Sequence, residues 1–106
     1  MVVLYPFAPL WAHFLFADFS YFEVFMEDKR IALVGIIVEK YESAELINNI
    51  LHAYGEYIIG RMGIPHRERN ISVISIVLDA PQSVISALSG KIGMVEGVKT
   101  KTIYSK

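Results

Sequence analysis

Six stretches of apolar residues, each with strand-like or helix-like periodicity, follow one another from residue 31 onward, and their order constrains the fold. Residues 31–38, IALVGIIV, form a continuous run bounded by charges, which is typical of a strand that is central in a sheet or covered on both faces. Residues 41–57 then place apolar side chains at helical spacing. We expect Ser43 to cap this amphipathic helix and Gly55 to end it.

Two further strand-like runs come next. Residues 57–64 (YIIGRMGI) and residues 71–79 (ISVISIVLD) are separated by the short charged sequence PHRERN. Two apolar runs joined by so short a polar connection favour an antiparallel hairpin. The sequence therefore predicts paired second and third strands.

A second helix is expected after the third strand, because Pro81 suits the first helical position and apolar residues recur on one face. Those apolar residues are Val84, Ile85, Leu88 and Ile92. We expect Gly90, Gly93 and Gly97 to break up this helix. Residues 97–105 then alternate between two faces, one of which carries lysines, and this pattern predicts a half-exposed edge strand.

The resulting order, β-α-β-β-α-β, belongs to the α+β class. Each helix has one apolar stripe that must be buried, so the economical arrangement is a four-stranded antiparallel sheet with two helices on one face. This is the ferredoxin-like split βαβ sandwich. A chain of 106 residues, of which 54% are hydrophobic, can bury a core of this size. We expect residues 26–106 to form this one domain.

Residues 1–25 differ in composition from the rest, since they hold all six phenylalanines and the single tryptophan. A signal peptide is disfavoured because the segment has no lysine or arginine. A membrane helix is disfavoured because prolines, a histidine and acidic residues interrupt the apolar run. The preferred interpretation is an aromatic-rich extension ahead of a true start at Met26. If the segment is natural, it would cover a hydrophobic face or an oligomer contact.

Charge and cysteine content exclude several classes of function. The formal net charge is −1 and the charges of both signs are mixed, so we expect no direct binding to nucleic acid. The chain has no cysteine, which excludes disulfides and thiolate metal sites and is typical of a cytoplasmic protein.

Three of the four arginines lie in GRMGIPHRERN at residues 60–70. Arg61, Arg67 and Arg69, together with His66, could bind a small anion, because guanidinium groups match carboxylate and phosphate oxygens. Arg67 and Arg69 would share one face if the strand continued through them. The alternative is that these charges solvate a hairpin bend or form pairs across a subunit interface. The four residues are the predicted effector-binding set.

Metal binding and catalysis are less favoured. His52 and His66 would need a carboxylate such as Glu56 or Glu68 close to both, and their spacing gives no ligand pair on one helix face. We therefore assign no metal ligand and leave the cofactor unknown. The sequence has no supported nucleophile–base set or carboxylate pair, so we expect a protein that is not an enzyme.

Residues 28–105 resemble the family named for regulation of the iron-only hydrogenase system. Three motifs carry the resemblance: LH at 51–52 with an acidic residue shortly after it, R-x-G-x-P-x-R-E-x-N from Arg61 to Asn70, and ALSGK-x-G-x-x-x-GV-x-x-KT from Ala87 to Thr102. The family's fold is similar to ACT-type domains and to the effector domain of nickel-responsive regulators. The resemblance thus implies a regulatory domain.

Together these observations predict an oligomeric regulatory or ligand-sensing domain. An open sheet with helices on one face leaves the other face to be covered, so we expect a homodimer or tetramer through the sheet. A small molecule or anion would bind at the interface and alter how the oligomer meets a partner, such as a DNA-binding protein or a hydrogenase-assembly component. The alternatives are a ligand-free interaction module and a metal-responsive sensor. Membrane association is not expected.

Overall fold

The computed structural model describes Val2, Val3 and residues 28–105. These residues form a five-stranded antiparallel sheet and two α-helices. The elements in chain order are β1 (Val2–Val3), β2 (Lys29–Val38), α1 (Ala44–Ala53), β3 (Ile58–His66), β4 (Ile71–Pro81), α2 (Gln82–Gly93) and β5 (Val98–Tyr104).

The sheet has the strand order β1-β3-β4-β2-β5. Val34 of β2 pairs with Ile76 of β4 on one side and with Thr102 of β5 on the other. Since β4 lies between β2 and β3 and is antiparallel to both, the unit β2-α1-β3 is a split βαβ. The predicted ferredoxin-like arrangement of four strands is confirmed, and Val2–Val3 adds a short fifth strand beside β3.

Both helices pack on the same face of the sheet. Along β2, alternate side chains from Ala32 to Val38 are buried, and those between them are exposed. The buried set packs against Ile47 and Leu51 of α1 and against Ile85, Leu88 and Ile92 of α2. The continuous apolar run of β2 allowed two interpretations, a strand central in a sheet or a strand covered on both faces. The first is confirmed, because β2 has a neighbouring strand on each side. In the described chain only one of its faces is covered. We call the face opposite the helices the open face.

The start of α1 corrects one sequence expectation. Ser43 is the residue before the helix, but its side chain makes no capping bond. Instead, its hydroxyl donates a hydrogen bond of 2.6 Å to the carbonyl oxygen of Glu96. The helix also ends at Ala53, and Gly55–Tyr57 form a separate 3-10 turn. Ser43 thus ties the β2–α1 connection to the α2–β5 connection.

The boundaries of α2 also differ from the expectation. Pro81 ends β4 and precedes the helix with extended backbone angles, so it is the cap rather than the first helical residue. Gly90 lies inside the helix and Gly93 is its last residue, so neither interrupts it. Gly97, with φ of +76°, lies beyond the helix in the turn that leads into β5. Gly90 is therefore helical despite the low helix propensity of glycine.

The β3–β4 connection is a tight bend. β3 runs to His66, and Arg67–Arg69 form a 3-10 turn before Asn70, whose φ is +56°. Asparagine tolerates this left-handed conformation better than most residues, so it suits the return into β4. The strand does not continue through Arg67 and Arg69, and their expected shared strand face therefore does not occur.

The predicted aromatic-rich extension, residues 1–25, lies outside the described residues except for Val2 and Val3. Their backbone pairs with Met62 and Arg61 at the edge of β3. Among the described residues, no helix is both long enough and apolar enough to span a membrane.

Candidate functional site

A surface cavity of about 410 Å³ lies at the end of the sheet where the β3–β4 bend meets the end of β2. We call it the hairpin groove. Its lining is Val38, Tyr41, Pro65, His66, Arg67, Asn70, Ile71 and Ser72. The size is within the range of roughly 300–1,000 Å³ that is usual for small-molecule sites.

The fold brings two of the four predicted effector-binding residues to this groove. His66 ends β3, and Arg67 begins the bend that follows it. Arg69 lies in the same 3-10 turn but does not line the groove. The bend therefore separates its two arginines, with only Arg67 at the groove.

Arg61 lies elsewhere. It pairs with Ile76, which is fully buried beneath the helices, and side chains of paired residues lie on the same side of an antiparallel sheet. Its guanidinium group donates a hydrogen bond to Oδ1 of Asn48 on α1. Arg61 thus joins β3 to α1 on the helix face and does not line the hairpin groove.

Three polar residues of the groove were not among the predicted site residues. Tyr41, in a 3-10 turn after β2, has a side chain that is 75% exposed. Asn70 immediately precedes β4, and Ser72 is the second residue of β4, where it pairs with both Val38 and Pro65. A single exposed tyrosine forms no spaced pattern with other residues, so the sequence alone does not indicate that it lines a site. Asn70 carries a weak signal, because asparagine is favoured where a bend needs a positive φ.

The open face is a second feature of the surface. At its centre is a shallow depression of about 560 Å³, lined by Gly35, Ile37 and Val73 together with residues of β5. Lys99 lies at its edge and forms a salt bridge of 3.2 Å with Glu39. The alternation predicted for β5 is confirmed, since Lys99 and Lys101 lie on this exposed face.

The histidines considered for metal binding lie on different elements. His52 is exposed near the end of α1, whereas His66 ends β3. Within Val2–Val3 and residues 28–105, no three His, Cys, Asp or Glu side chains are close enough together to hold a metal ion.

The fold and these two surfaces define a class: a small ferredoxin-like α+β domain with an uncovered sheet face and a small-molecule-sized groove. Comparison with known families goes further. Residues 30–102 match a family model described as "TM1266-like: Iron-only hydrogenase system regulator, putative". The chain belongs to this TM1266-like family, which confirms the resemblance found in the sequence.

A solved structure supports this assignment. The uncharacterized protein TM1266 from Thermotoga maritima is 38% identical in sequence, with a TM-score of 0.71. The match covers 74% of this chain and 100% of that chain. The comparison with curated proteins found no match.

Proposed function

We propose that this protein is a non-enzymatic regulatory domain of the iron-only hydrogenase system that works as a homo-oligomer and responds to a small effector. The description of its family supports the regulatory role and the link to hydrogenase. The observation that carries the oligomer is the open face, where large apolar side chains remain exposed. These are Ile31, Leu33, Ile37, Met62, Ile64, Val73 and Ile103.

This apolar surface is contiguous. Leu33 pairs with Val77 and Ile103, and Val73 pairs with both Ile37 and Ile64, so apolar side chains lie beside one another across four strands. Scattered apolar residues are ordinary on a protein surface, whereas a connected patch of this kind marks an association surface.

The open face extends over four strands, and a second copy of the chain would cover it with the same face. Four strands at ~4.8 Å spacing, each contributing about seven residues at ~3.3 Å, give a projected area of roughly 450 Å². Side-chain relief makes the accessible area of the face larger than this projection, and a stable complex buries ~800 Å² per partner. A twofold interface uses the same patch on both copies, so one apolar face is sufficient for a dimer.

The centre of the face also suits this arrangement. Gly35 has no side chain, and the nearest atom to a Cβ added there would be 4.0 Å away. The depression beside Ile37 and Val73 therefore has room for an apolar side chain of the second copy. Knob-and-hole packing of this kind gives a dimer interface a defined geometry.

The regulatory role is tested in the organism that encodes the chain. We expect deletion of the gene to change the transcript level and activity of the iron-only hydrogenase by severalfold, and we expect the wild-type gene to restore both. Leu33→Glu should not restore them, because a charge on the open face opposes the contact between copies. Leu46→Glu is the matched control, since Leu46 is 51% exposed on α1, away from the open face.

Two results would contradict the proposal. Unchanged hydrogenase transcript and activity after deletion would remove the regulatory role. Full restoration by Leu33→Glu at wild-type protein levels would show that regulation does not depend on the open face.

A further inference from the structure

We propose that the hairpin groove binds a small organic anion, namely a carboxylate or phosphate monoester carried on an aromatic or aliphatic body. Arg67 and His66 would contact the anionic group, and Tyr41 would contact the body. This inference rests on the proposed function, because it names the site and the chemical class of the effector.

The anionic part follows from the polar side of the groove. Arg67 is exposed and forms no salt bridge within the described part of the chain, so its guanidinium N–H groups are available to a ligand. His66 and the Asn70 amide lie on the same lining and provide further donors. A guanidinium group binds two oxygens of a carboxylate or phosphate at once, and this geometry distinguishes these groups from a simple halide ion.

The organic part follows from the apolar side of the groove. Val38 is buried at its base, and Pro65 and Ile71 add apolar surface. Tyr41 leaves three-quarters of its side chain exposed, so its ring can stack on a ligand. A free inorganic anion would leave this surface in contact with water, whereas a ligand with an apolar body would bury it and gain affinity.

The position of the groove connects ligand binding to assembly. His66 pairs with Ile71 on the open face, two residues along β4 from Val73. A ligand that contacts His66 therefore lies beside the surface that we propose for the second copy. Ligand and second copy can then change each other's affinity by the same factor, as linkage requires.

The test is an amide-proton NMR titration of the full 106-residue chain with phenyl phosphate, benzoate and inorganic phosphate as probes. We expect saturable shifts centred on residues 65–72 and around Tyr41 with phenyl phosphate or benzoate. Whichever of the two binds more tightly identifies the anionic group. Inorganic phosphate should bind at least tenfold more weakly than phenyl phosphate, because it buries no apolar surface.

Two arginine variants make the test specific. Arg67→Gln should weaken binding of the organic anion at least tenfold. Arg69→Gln removes the same charge from the same turn but from outside the lining, so it should change the affinity less than twofold. The amide spectrum of each variant, recorded without ligand, checks that the fold is unchanged.

Three results would overturn the inference: no saturable shift with either organic probe, equal loss of affinity in the two variants, or binding of inorganic phosphate as tight as that of phenyl phosphate. Each can occur while deletion of the gene still alters hydrogenase expression and the open face still supports assembly. Failure of the ligand site is thus distinguishable from failure of the proposed function.

Discussion

At the scale of single residues, the fold constrains Gly97 tightly. Its φ of +76° lies in the left-handed region, and an added Cβ would collide with the Cβ of Lys40. The backbone N–H of Glu39 also donates a hydrogen bond of 2.7 Å to the carbonyl oxygen of Gly97. The end of β2 and the start of β5 therefore meet at a point where only glycine fits.

Gly97→Ala is expected to lower the free energy of unfolding by more than ~1–2 kcal/mol, since the left-handed conformation alone costs about that much for a residue with a Cβ. Gly90→Ala is the matched control. An added Cβ at Gly90 would have no atom within 4 Å, and the residue lies inside α2, so alanine should stabilise the protein by ~0.5–1 kcal/mol. Urea unfolding followed by circular dichroism measures both. Equal effects of the two substitutions would contradict this account.

At the scale of elements, the apolar periodicity predicts the identity and order of the elements better than it predicts their ends. Alternation in β2 and β5 follows directly from burial on one face. The ends depend on tertiary contacts that a local pattern does not contain. The Ser43 hydroxyl bonds to Glu96, 53 residues away, instead of capping its own helix, and no local pattern contains that contact.

The candidate site also depends on structural features that a local sequence pattern does not contain. The sequence predicted that Arg61, Arg67 and Arg69 belong to one site at the hairpin. Arg61 does not, because an irregularity between Ile58 and Gly60 shifts the register of β3. Ile58 is buried beneath the helices, and in a regular strand Gly60 and Met62 would share its face. The shift places Arg61 on the helix face instead. It arises from a single extra residue in the strand, and such a residue is not evident from side-chain alternation alone.

α1 allows a direct test of which helix face supports the fold. Leu51 is 1% exposed and packs in the core, whereas Leu46 on the same helix is 51% exposed. Leu51→Ala is expected to cost ~2–5 kcal/mol of stability through lost burial and a residual cavity. Leu46→Ala should change stability by less than ~0.5 kcal/mol. Comparable losses for both, measured by thermal or urea unfolding, would mean that the buried face of α1 is wrongly assigned.

At the scale of the whole molecule, the open face is the surface through which we propose that copies of the chain assemble. The sequence predicted this face, because apolar residues occupy both alternation faces of the central strands. Which residues lie at its centre depended on strand order and register, including the depression at Gly35. The domain boundary at Met26, the cytoplasmic location and the protein partner stay predictions.

Assembly through the open face is the central claim, and light scattering coupled to size-exclusion chromatography on the full chain tests it most directly. At micromolar concentrations we expect wild type and Leu46→Glu to elute with twice the mass of one chain, or four times if dimers pair. Leu33→Glu should elute with the mass of one chain and an unchanged circular dichroism spectrum. A wild-type protein of single-chain mass, or a Leu33→Glu variant that assembles as wild type does, would contradict the account.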